Sequence, residues 1–77
     1  MSEKIYFFNG KDITMNVCIQ IKLVINLLQE KFGISFDEAS VRFYKSKTYK
    51  TLQDTENALW AEAPEYILDC YMNEITS

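Results

Sequence analysis

Apolar residues recur at spacings of three and four through the first half of the chain. Val17, Cys18, Ile21, Val24, Ile25, Leu28 and Phe32 fall on one broad face of a helix that begins near Asp12. Gly33, just past the last of them, is placed to end that helix in the left-handed conformation. A second row, Ile19, Leu23 and Leu27, repeats every four residues on roughly the opposite side. One small core does not readily cover both rows. Either the N-terminal arm or the last helix packs on the second row, or that row is a homodimer or partner surface.

On either side of this helix the pattern changes. Lys4 to Phe8 is rich in β-formers, and Asn9-Gly10 is a strong turn dipeptide, so residues 1–11 read as an extended arm or a short hairpin. A lone hairpin is marginal in water, which favours the packed arm. After Gly33, Ser35 and Glu38 form a capping box with Asp37 near the positive end of the helix dipole, predicting a second helix whose inner face is Phe36, Ala39 and Phe43. The periodicity falters at residues 45–47, and Tyr49 with Leu52 predicts a short helical turn before a polar loop over residues 53–57. Leu59 and Trp60 are expected to anchor that loop to the core. Pro64 suits the first turn of a last helix, with Ile67, Leu68, Tyr71, Met72 and Ile75 inward and Glu65, Asp69 and Glu74 outward. The predicted fold class is all-α: a small bundle of three main helices plus a short helical turn, in one domain spanning residues 1–77.

Size sharpens this picture. A 77-residue domain buries only about 60% of the surface its unfolded chain exposes, so a partner or a second copy would add useful stability. Lys22 and Asn26 interrupt the longest apolar stretch, Val17 to Leu28, so no membrane span is expected. Only four apolar residues precede Asn9-Gly10, too few for the core of a secretory signal, and the expected location is cytoplasmic. Cys18 and Cys70 each lie among apolar residues at helical spacing and are expected to be buried, reduced thiols.

Little in the sequence points to catalysis. There is no histidine, the usual general base and a common metal ligand, and two cysteines do not make a zinc site, so neither a metal nor another cofactor is expected. With glycine only at positions 10 and 33, no phosphate-cradling loop exists, and no small-molecule substrate is evident. Asp37 and Glu38 are explained by capping, and Cys18 lacks an activating base. Charge is more informative. All eight Lys and Arg residues lie within residues 1–50, whereas the chain after Lys50 carries six acidic residues and no basic one. Arg42, Lys45, Lys47 and Lys50 cluster beside Tyr44 and Tyr49, a grouping suited to an acidic protein partner or to nucleic-acid phosphates. The net charge of −3 argues against nucleic acid. The same residues also have a structural reading, because cations late in a helix oppose its dipole and tyrosines are often half-buried.

Phe43-Tyr44-Lys45-Ser46-Lys47-Thr48, the Leu59-Trp60 step and Tyr66 in a closing helix rich in Tyr and acidic residues resemble a bacterial family of small helical proteins of unknown function. The resemblance covers roughly residues 17–75. Some members of such families look to be encoded beside genes resembling ADP-ribosyltransferases, which implies an accessory or antitoxin-like partner protein and brings no catalytic residues. The function expected from the sequence is therefore non-enzymatic. It is a small interaction protein, acting by self-association on Ile19, Leu23 and Leu27 or by a protein partner meeting Arg42, Tyr44, Lys45, Lys47, Tyr49 and Lys50. Nucleic-acid binding through the basic segment 42–50 is the alternative.

Overall fold

The computed structural model describes residues 5–76. A two-residue hairpin, β1 (Phe7–Phe8) and β2 (Lys11–Asp12), precedes four helices: α1 (Thr14–Phe32), α2 (Phe36–Tyr44), α3 (Lys47–Gln53) and α4 (Pro64–Thr76). Two short 3₁₀ turns, Thr55–Asn57 and Leu59–Ala61, connect α3 to α4. The protein is predominantly all-α. α1 packs against α2 and α4, and α3 packs against α4 and α2.

The hairpin replaces the packed extended arm. Asn9 and Gly10 both take left-handed backbone (φ 51° and 78°), as a primed two-residue turn requires, and Phe8 pairs with Lys11 across it. Such a short hairpin survives because other elements hold it. The Ile13 N–H donates to the Tyr6 carbonyl at 2.8 Å, the Tyr6 N–H to Thr14 Oγ1 at 2.8 Å, and Thr55 Oγ1 to the Phe7 carbonyl at 2.8 Å. Phe8 meets Trp60 edge to face at 5.5 Å. Residues 1–4 of the expected arm lie outside the described residues.

Along α1 the expected inner face is largely the observed one. Val17, Val24, Ile25 and Leu28 are buried, and Ile21 and Phe32 pack partly against them. Cys18 departs from the expectation and is exposed, because it stands about 100° round the helix from Val17, past the edge of the buried sector. Gly33 ends the helix at φ 61° with its N–H on the Gln29 carbonyl.

Ser35 caps α2 by accepting the Glu38 N–H at 3.1 Å, but Glu38 does not complete the box; its carboxylate pairs with Arg42 at 3.7 Å. Ala39 and Phe43 are buried, and the Phe43 ring meets Tyr49 and Tyr71 edge-on. Phe36 is 48% exposed, contrary to expectation, and lines an open groove between α1 and α2.

The faltering pattern at residues 45–47 is a helix-to-helix switch. Ser46 Oγ donates to the Phe43 carbonyl at 2.6 Å and accepts the Tyr49 N–H at 3.0 Å, ending α2 and starting α3. The expected polar loop at residues 53–57 is wound into the first 3₁₀ turn, closed by Ala58 at φ 55° and by a bond from Trp60 Nε1 to the Thr55 carbonyl at 3.0 Å. Leu59 is buried. In α4, Ile67 and Tyr71 are buried and Leu68 and Met72 pack beside them. Ile75 is 47% exposed rather than inward. Glu74, expected to point outward, instead turns toward α3.

Candidate functional site

The second row of α1 remains on the surface. Ile19 is 50% exposed and Leu23 40%, so neither the hairpin nor α4 covers them, whereas Leu27 is half-buried. Met15, one turn before Ile19 and 70% exposed, lengthens the row toward the helix start. Residues three and four apart are neighbours on a helix surface, so Met15 and Ile19 adjoin Cys18 and Lys22. Those two residues border a shallow groove.

That groove lies between α1 and α2, with a volume of about 280 Å³. It is lined by Cys18, Ile21, Lys22, Ile25, Phe36 and Tyr44. Its walls are apolar apart from Lys22. Tyr44 is 49% exposed and stands edge-on to Tyr49 at 4.9 Å, and Tyr49 in turn packs on Phe43 at 5.5 Å. Burial, followed by the nearness of Tyr6, Tyr44 and Cys18, holds the Tyr49 hydroxyl above the usual tyrosine range. That hydroxyl therefore stays neutral around pH 7 and accepts a hydrogen bond from Gln53 Nε2 at 3.3 Å.

The structure divides the basic segment. Tyr44 and Tyr49 are brought together, and Lys45, Lys47 and Lys50 stay exposed, Lys47 at the depression between α3 and α4. Arg42 is drawn away. It pairs with Glu38 and lies over the Phe32 ring at 5.7 Å. Met15, Cys18 and Phe36 belong to the surface although sequence periodicity did not single them out as such. Met15 continues the four-residue spacing of Ile19 and Leu23, a signal present in the sequence; for Phe36 only the placement of α2 beside Ile25 reveals its role.

A larger depression of about 540 Å³ lies between α3, the 3₁₀ turns and α4, and includes Lys47, Thr51, Asn57, Tyr66, Cys70 and Glu74. One of its charged groups, the Glu74 carboxylate, is already engaged in structure. The Glu74 carboxylate accepts from the Lys47 and Thr48 N–H groups at 2.8 and 2.9 Å and from the Thr48 hydroxyl at 2.8 Å. Burial alone would raise the Glu74 pKa, but these bonds and the Lys47 charge outweigh it and hold the carboxyl below its ordinary value. Cys18 and Cys70 are both free thiols. Among the described residues no three His, Cys, Asp or Glu side chains converge on a cation-sized site, and no helix is long and apolar enough to cross a membrane.

Compared with protein-family models, curated proteins and solved structures, the chain matches none.

Proposed function

We propose that the protein acts by binding another polypeptide rather than by catalysis, and that the α1–α2 face is the surface it uses. One observation carries this reading. Phe36 and Tyr44, 48% and 49% exposed, line a single groove, and Met15 and Ile19, 70% and 50% exposed, adjoin its Cys18 and Lys22 wall. Isolated apolar residues are ordinary on a surface, whereas a continuous group marks a contact site. Methionine and aromatic side chains are also the types enriched at the centres of protein interfaces. Covering this face would supply apolar burial that a chain of 77 residues otherwise lacks. A small accessory protein held against a partner is the role that fits. Two unpaired thiols, one of them exposed, suit a reducing cytoplasmic compartment.

Nucleic acid is the weaker reading of the basic segment. Arg42 is occupied by Glu38 and Phe32, the Glu74 carboxylate sits on the backbone of Lys47, and the net charge is −3. Binding carried by phosphates would fall steeply with salt and vanish when Arg42, Lys45, Lys47 and Lys50 are all replaced by Gln.

The test is selection of displayed random peptides on the immobilised protein. Peptides should be recovered, and they should lose binding to Ile19→Glu and Tyr44→Ala variants that keep the wild-type circular dichroism. Recovery of no peptide, or of peptides indifferent to both substitutions, contradicts the proposal.

A further inference from the structure

The α1–α2 groove is open along its length and, at about 280 Å³, lies at the small end of what an enclosed drug-sized ligand requires. It is better matched to side chains projecting from a chain laid over it. The lining residues of α1 run from Cys18 to Ile25, seven residue steps and therefore roughly 10 Å of helix. A docked helix covers that length in about two turns, presenting apolar anchors at i and i+4 or i and i+7.

Charge then selects the occupant. Lys22 is the charged residue of the lining, and it is exposed. At the Tyr44 end, exposed Lys45 follows Tyr44 in sequence, and exposed Lys50 follows Tyr49, whose ring stands against that of Tyr44. The anion nearest in sequence to the lining is Asp37, which follows Phe36 at the opposite end. On a molecule of net charge −3 this is a locally positive apolar channel with a direction. A basic or neutral partner gains nothing from that arrangement, and an acidic one gains at Lys22 and again past Tyr44.

We infer that the partner segment is an acidic amphipathic helix, with large apolar residues seated between Phe36 and Tyr44 and carboxylates at the end that lies over Tyr44. This rests on the binding role proposed above and specifies the chemistry of what binds. A second copy of this chain is a poorer occupant. Its acidic α4 on the groove of a neighbour would make a head-to-tail contact, which leaves each end of the pair unsatisfied unless a ring closes.

Two peptide pools with the same apolar positions test the inference, one with Glu and Asp at the remaining sites and one with Lys and Arg. The acidic pool should enrich and the basic pool should not. Binding of enriched peptides should weaken about fivefold or more between roughly 50 mM and 500 mM salt, because the rim charges are exposed. It should also weaken by about fivefold in Lys22→Glu and by less in Lys22→Gln. Bound peptide should slow alkylation of Cys18 and leave that of Cys70 unchanged. Enrichment of the basic pool, or equal enrichment of both, overturns the inference while leaving a peptide-binding role intact. Failure of both pools sinks the role as well. A concentration-dependent rise in mass by light scattering that is abolished by Tyr44→Ala would put a second copy on the face and overturn the acidic partner.

Discussion

Glu74, three residues from the end of the sequence, accepts hydrogen bonds from both the backbone N–H and the hydroxyl of Thr48, at 2.9 and 2.8 Å. Its other carboxylate oxygen takes the Lys47 N–H at 2.8 Å, so a side chain of α4 satisfies the open N-terminus of α3. Ser46 supplies the local cap and Glu74 a long-range one, which fixes the short α3 against α4. In this way the helix that carries Tyr49, whose ring meets Tyr44, is held in part by contacts from α4.

Replacing Glu74 by Gln should therefore lower stability by about 1 kcal/mol, the usual worth of a helix cap, read as a shift in the urea midpoint. The effect has a pH signature. Because the folded-state pKa lies below the ordinary carboxylate value, the ionised form is the stabilising one. The contribution is complete above the unfolded pKa and is lost as pH falls through the lower folded one. The stability difference between wild type and Glu74→Gln should accordingly shrink on acidification below about pH 4.5. A difference that grows there would contradict the assignment.

The two rows of α1 should respond oppositely to truncation. Leu28 is fully buried, so Leu28→Ala should cost about 3 kcal/mol. Leu23, at 40% exposure, should tolerate Ala with a loss of less than about 1 kcal/mol. Chemical denaturation of both variants, compared by midpoint at common slope, checks the pair; similar large losses would mean that the second row is core.

Two left-handed positions carry opposite expectations. Gly33 has φ 61° and open space where a Cβ would stand, so Gly33→Ala should lose about 1 kcal/mol from backbone conformation alone. Ala58 already bears that conformational cost at φ 55°, and Ala58→Gly should gain up to about 0.5 kcal/mol. Thermal melts would show the two shifts with opposite sign.

Much of this fold was legible because local signals agreed with tertiary packing. Val17, Val24 and Leu28 share one helical stripe, Ser35 and Pro64 stand at true helix starts, and Gly33 ends α1. Where reading failed, the deciding partner was distant in sequence. Glu74 looked like a solvated surface acid until α3 was placed beside it. Asn9-Gly10 signalled a hairpin, and the bonds from Ile13 and Thr55 that make so short a hairpin viable cannot be seen locally. Cys18 and Phe36 were assigned to the core by periodicity, which gives a side chain's direction on its helix but not where neighbouring helices stop. The Ile19 and Leu23 row was visible in the sequence. That the Ile19 end of the row adjoins a groove walled by Phe36 and Tyr44 followed only from the placement of α2.

The central claim is that the α1–α2 face is where this protein binds. Amide NMR on the isotope-labelled protein, titrated with a peptide recovered by display, tests it most directly. The expected result is a set of shifts concentrated at Met15, Cys18, Ile19, Lys22, Phe36 and Tyr44, with Thr51, Glu62 and Cys70 unmoved. Shifts centred on Thr51, Glu62 and Cys70 would move the site to the α3–α4 depression and contradict the account.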